Sequence, residues 1–111
     1  TLEMIDLLAE RCAAWSADDG IALVVLEGAG ERAFCAGADL TRLHGACLAH
    51  HASASRDDIR ANAYALDFFS REYRLDYALH TFPKPVLCWG HGVVMGGGMG
   101  LMIGASHRVV T

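Results

Sequence analysis

The sequence predicts an α/β layered fold, on three observations. Apolar residues recur at helical spacing in separate stretches, short branched-aliphatic runs lie between them, and each run empties into glycines. From Leu2 to Trp15 the apolar positions Ile5, Leu8, Cys12 and Trp15 make one face of a helix, with Thr1 as its N-cap and Glu3 in the first turn. Ile21 to Leu26 is a continuous apolar run between Asp18-Asp19-Gly20 and Gly28, the pattern of a strand covered on both faces. A short helix is expected from about Asp39. A longer one is expected after Ser55, where Ser55 and Asp58 make a capping-box-like start and Ile59, Ala63, Leu66, Phe69, Tyr73 and Tyr77 fall on one stripe. Pro83-Lys84-Pro85 stops that helix, since proline disfavours helical geometry before it and lacks an N–H. Val86 to Trp89 is a second buried strand. A glycine turn, a helix from about Gly98 and a short strand at His107 to Val110 complete the chain.

A length of 111 residues bounds the chain to one small domain at most. Hydrophobic residues make up 53% and charged residues 20%, an apolar balance for so small a unit, so apolar surface is expected to be covered by a further segment. The formal charge of -4 and the absence of a basic stripe exclude a grip on phosphate backbones, and no nucleic-acid partner is expected. Cys12, Cys35, Cys47 and Cys88 contain no CxxC pair, which indicates neither a zinc site nor a disulfide framework and fits reduced thiols. His50-His51 is the only histidine cluster and reads as a solvated helix end; no metal site is expected. Residues 86–105 are nearly uncharged and raise the question of a membrane span. Gly90, Gly92, Gly96, Gly97, Gly98 and Gly100 in that stretch, each costing a helix about 1 kcal/mol relative to alanine, favour strand, loop and helix in succession instead.

Two segments carry chemistry. In residues 27–40 a strand runs into glycines and then a helix start. Gly28-x-Gly30-x-x-Ala33 imitates a dinucleotide fingerprint, but that motif needs an immediate helix and an acidic residue about 20 positions on, where His50-His51 stand. A plain surface turn also explains these glycines. In residues 83–101 Gly96-Gly97-Gly98 sit between a strand and a helix. Exposed N–H groups at such a helix start can hold developing negative charge, while tight helix-to-sheet packing is the structural alternative.

Taken together, AFCAGADL (33–40) and KPVLCWGHGVVMGGGMGL (84–101), in this order and on strand-to-helix turns, resemble the enoyl-coenzyme A hydratase/isomerase, or crotonase, superfamily across the whole chain. The resemblance implies a crotonase (ClpP/crotonase-like) fold. It also implies that the family's first strand precedes Thr1 and its catalytic glutamate and aspartate follow Thr111. Residues 1–111 are then an internal, N-terminal-half fragment of the spiral ββα core, a partial core domain with the remainder of its own chain as partner. In that family each motif donates one backbone N–H to the thioester oxygen, here from Ala38 and Gly97, and the backbone around Ala36 lines the coenzyme A channel. Hydratases of the family look like Gly-Gly-Gly-x-Glu, whereas this chain has Gly100 at the glutamate's place, which argues against water addition. FFSREYRL (68–75) and HTFPKP (80–85) look more like the 3-hydroxyisobutyryl-coenzyme A hydrolase branch of valine catabolism, and in that branch a glutamate matching Glu72 contacts substrate. Position alone makes Glu72 a helix-surface carboxylate paired with Arg71 or Arg74. Cys35 is expected to be a packed thiol, not a nucleophile, because no histidine is identifiable as its base.

The expectation is therefore an acyl-CoA hydrolase, with a hydratase or isomerase, or a non-catalytic acyl-CoA-binding or assembly module, as alternatives. No separate cofactor is expected, coenzyme A being part of the substrate. By resemblance a trimer or hexamer is expected, in the cytoplasm, or in the mitochondrial matrix for a eukaryotic source.

Overall fold

The computed structural model describes residues 1–111. Along the chain come α1 (Leu2–Ala17), β1 (Val24–Glu27), β2 (Ala33–Cys35), α2 (Leu40–His51), a 3-10 turn (Ile59–Ala61), α3 (Ala63–His80), β3 (Val86–Gly90), β4 (Val93–Val94), α4 (Gly97–Gly104) and β5 (His107–Val110). Helix α1 begins as its sequence requires: the Thr1 hydroxyl accepts from the Met4 N–H at 3.2 Å, and Ile5 and Cys12 are buried. Its last turn carries no basic residue. Lys84 supplies one from a distance, its Nζ donating to the Trp15 carbonyl at 2.7 Å and to that of Asp18, so the negative end of the helix meets a cationic donor.

Strands β1, β3 and β5 form a parallel sheet with β3 in the middle, Val24 opposite Val86 and Leu87 opposite His107. Parallel neighbours need crossovers, and these carry the helices: α2 and α3 lie between β1 and β3, and α4 between β3 and β5. A second, two-stranded parallel sheet pairs β2 with β4. The sequence reading missed both of these strands, which are only three and two residues long. One apolar cluster joins Ile5 and Cys12 of α1, Val24, Val86 and Cys88 of the sheet, Leu43 of α2, Phe68, Leu75 and Leu79 of α3, and Met102 of α4.

Two expectations are corrected. The run 21–26 was expected to be a strand covered on both faces. The strand begins only at Val24, and within these 111 residues one face of the sheet is open, with Val25 49% and Trp89 43% exposed. An apolar run records that both faces avoid water, and it does not record which segment covers each. The long helix was expected after Ser55, with Ile59, Ala63, Leu66, Phe69, Tyr73 and Tyr77 as its apolar stripe. Asp58 instead caps the 3-10 turn through the Arg60 N–H, and Asn62 caps α3 through the Ala65 N–H. The buried side of α3 is Phe68, Leu75 and Leu79, while Leu66, Phe69, Tyr73 and Tyr77 are exposed, with Phe69 and Tyr73 stacked 5.9 Å apart. Helix α3 has two apolar stripes, and periodicity alone cannot tell which one meets this chain's own core. The slab shape agrees: the radius of gyration is 15.8 Å, against about 13 Å for a closed domain of this length.

Candidate active site

The short β2–β4 pairing brings the two glycine-rich segments side by side. Phe34 N–H donates to the His91 carbonyl at 2.8 Å, Val93 N–H to that of Arg32 at 3.1 Å, and Met95 N–H to that of Cys35 at 3.0 Å. Past these bonds both strands turn sharply on glycines in the left-handed region, Gly37 (φ 104°) and Gly96 (φ 56°). A Cβ on Gly37 would lie 3.0 Å from the Met95 carbonyl oxygen and 3.6 Å from the Gly97 nitrogen. Glycine is required there for both dihedral and space. Gly98 is buried against the Cys35 backbone and locks the start of α4 onto β2.

The expected site residues converge here. Ala38 and Gly97 line the same two adjoining cavities, and neither N–H has a hydrogen-bond partner in the chain. Gly97 opens α4, whose N-cap Gly96 offers no side-chain cap, so the positive end of that short helix is unneutralised. Ala36 lines the larger cavity, of about 500 Å³, with Gly37, Leu40, Leu43, Phe69, Tyr73 and Met95. Glu72 reaches in from α3 and lies against Gly97, where a Cβ would collide with its Oε1. It is not paired with Arg71, whose guanidinium instead bridges Asp6 of α1 and Asp67, each at 2.8 Å. Glu72 sits one turn after buried Phe68 and just before buried Leu75, on the inward side of the helix. Burial, and secondarily the charge of Asp76, push its carboxyl above the usual glutamate value.

Sequence reasoning missed Asp76. It lines the same cavity, burial pushes its carboxyl up, and its Oδ1 is buried with no hydrogen-bond partner. The available signal was its spacing, four residues after Glu72 on the same helix face. Cys35 is half-buried in the wall of the smaller cavity. His50 lies away from the site, its Nε2 within 3.0 Å of the carbonyls of Ser55 and Asp58. No group of three or more His, Cys, Asp or Glu side chains is placed to hold a metal ion, and no helix is long and apolar enough to cross a membrane. Chemically, two unpartnered N–H groups at a cavity wall with half-buried carboxylates opposite can stabilise an oxygen that gains negative charge during reaction.

The family model described as enoyl-CoA hydratase/isomerase matches residues 1–111. The chain is 34% identical, over its full length, to a protein of Gallus gallus named 3-hydroxyisobutyryl-CoA hydrolase, mitochondrial, and spans 26% of that protein. It is also 34% identical over 97% of its length to small ribosomal subunit protein mS47 of Neurospora crassa, spanning 20% of it. Among solved structures it resembles an enoyl-CoA hydratase from Rhodobacter sphaeroides, with a TM-score of 0.82 and 36% identity over 97% of this chain and 29% of that one. A carnitinyl-CoA dehydratase from Mycobacterium thermoresistibile gives 0.81 and 39% identity over 99% of this chain and 29% of that one. The chain therefore spans a fifth to under a third of these proteins.

Proposed function

Because the chain belongs to the enoyl-CoA hydratase/isomerase family, matched over its whole length, we propose that it forms the oxyanion-binding half of an acyl-CoA thioester hydrolase acting on 3-hydroxyisobutyryl-CoA. The observation that carries this reading is the pair of unpartnered backbone donors, Ala38 and Gly97, lining one cavity opposite Glu72. Water adds to the thioester carbonyl carbon, and the carbonyl electron pair moves onto oxygen, where both N–H groups stabilise it. The intermediate then collapses, breaking the carbon–sulfur bond and releasing coenzyme A as thiol and the free acid. Two fixed donors favour the intermediate over the ground-state carbonyl, so they raise the rate and not merely the affinity. The general base for the water is expected from outside residues 1–111, and coenzyme A enters as part of the substrate. Curated relatives bearing the hydrolase name are called mitochondrial, which supports a matrix location for a eukaryotic source.

Hydrolysis is favoured over hydration because Gly100 stands where the family's hydratases place a glutamate, and glycine can neither orient nor deprotonate water. A non-catalytic role is the second reading, favoured by the similarity to a protein named as a ribosomal subunit component. The deciding experiment supplies the full-length protein with 3-hydroxyisobutyryl-CoA in a thiol-release assay and with crotonyl-CoA in an enoyl absorbance assay. Faster thiol release supports the hydrolase, dominant hydration moves the protein to the hydratases, and no turnover of either supports the non-catalytic reading.

A further inference from the structure

We propose that Asp76 is a second substrate-facing carboxylate of this cavity, and that Glu72 and Asp76 together bind the hydroxyl of a hydroxyacyl thioester. The inference rests on the hydrolase reading above and adds to it a residue that sets its preference for the hydroxyl. Asp76 and Glu72 are one turn apart on α3 and line the same cavity as Ala38 and Gly97. The Asp76 carboxylate lies over Gly100: a Cβ at that position would be 2.7 Å from Oδ2 and 3.1 Å from Oδ1. The volume beside Gly100 is thus filled by a carboxylate from a different helix, and the absence of a side chain at 100 is what admits it.

The hydrogen-bond inventory of the pair is incomplete. Asp76 Oδ1 is shielded from water and has no partner, an arrangement that disfavours the unliganded site and that a substrate donor would complete. Neither carboxylate has an ion-pair partner, since Arg71 is engaged with Asp6 and Asp67. Among residues lining the two cavities, the other titratable side chains are the Cys35 thiol on β2 and Tyr73 on α3 itself; α1 and α4 contribute none. Burial raises both carboxyls, and the charge of Asp76 raises Glu72 further. One member of such a pair holds a proton more readily than a solvated carboxyl does. A hydroxyl suits this pair because it donates to the ionised member while accepting from the protonated one. A plain acyl chain offers neither bond and leaves the buried oxygen unpaired, which is the situation in which a polar site discriminates most strongly.

The test compares kcat/KM for 3-hydroxyisobutyryl-CoA and isobutyryl-CoA in the full-length protein and in Asp76→Ala, Asp76→Asn and Gly100→Ala. Asp76→Ala should lower the hydroxyacyl-to-acyl ratio by about 10- to 100-fold, the span of one hydrogen bond to a charged group, and change isobutyryl-CoA turnover far less. Asp76→Asn, which keeps an acceptor oxygen and the shape, should lose less. Gly100→Ala should lower the ratio by displacing the carboxylate, and combining it with Asp76→Ala should add nothing. Removing the Asp76 charge should also move the acid limb of the hydroxyacyl pH profile to lower pH, a change that loss of packing alone would not produce. A wild type that prefers the hydroxyacyl substrate, with that preference unchanged in folded Asp76→Ala or Asp76→Asn, overturns this inference alone. A wild type that hydrolyses neither thioester overturns the hydrolase reading and this inference with it.

Discussion

Replacing Gly98 by alanine tests the claim that the β2–α4 contact positions the oxyanion donors. Gly98 is helical with ordinary dihedrals, so the substitution by itself should favour α4 by about 1 kcal/mol. The surroundings oppose it. The new Cβ would lie 2.7 Å from Cys35 Cβ and 2.9 Å from the Cys35 carbonyl carbon, and it would overlap the carbonyl oxygen. Carbon atoms pack comfortably at about 3.5 Å, so α4 must withdraw from β2 by roughly 1 Å, and overpacking of this kind costs about 1–3 kcal/mol. The same Cys35 carbonyl accepts the Met95 N–H at 3.0 Å, which resists its moving aside. The net effect on stability is a loss of about 0–2 kcal/mol. The effect on turnover should be larger, because Gly97 moves with its neighbour, and a 1 Å misplacement of a reacting geometry can cost about 100-fold. Urea unfolding and thiol-release kinetics on the full-length protein measure the two quantities. Gly45→Ala in α2, where nothing lies within 4 Å of the new Cβ, is the control and should gain stability with turnover unchanged. Wild-type kcat in a folded Gly98→Ala protein would refute the positioning role of this contact.

Ala38→Pro and Gly97→Pro, each deleting one donor N–H, should lower kcat by about 10²–10³-fold if folding survives, as circular dichroism must establish first. Lys84→Met should destabilise by about 1–3 kcal/mol, because the ammonium that joins the end of α1 to the proline turn is lost and the methylene stem is kept; urea midpoints check this. A carboxyl whose folded pKa lies above its unfolded value binds its proton more tightly in the folded state, so the stability it contributes is lost as pH rises through that interval. Both Glu72 and Asp76 are raised. Asp76→Asn and Glu72→Gln should therefore stabilise the protein near pH 7, and the advantage should fade as pH falls towards and below the ordinary values of 3.8 and 4.5, as thermal melts across pH can follow.

Helix α1, strands β3 and β5, the halt at Pro83 and the glycine turn into α4 were legible because each rests on local chemistry: a threonine cap, a branched-aliphatic run, missing N–H groups, φ above zero. That the N–H groups of Ala38 and Gly97 come to one cavity was legible for a different reason. They are backbone groups tied to a rare glycine pattern, and the motifs of the family carry that pattern in sequence. Tertiary structure alone decided three things. It settled which apolar stripe of α3 meets the core, because Phe68, Leu75 and Leu79 and the exposed Leu66, Phe69 and Tyr73 are equally periodic. It formed β2 and β4, strands too short to hold except by pairing with each other across some 60 residues. It also seated the Asp76 carboxylate over Gly100 on a different helix. A one-dimensional pattern records how often a chain avoids water and where its backbone must bend, but the neighbour that fills a given space is fixed only when distant segments pack together.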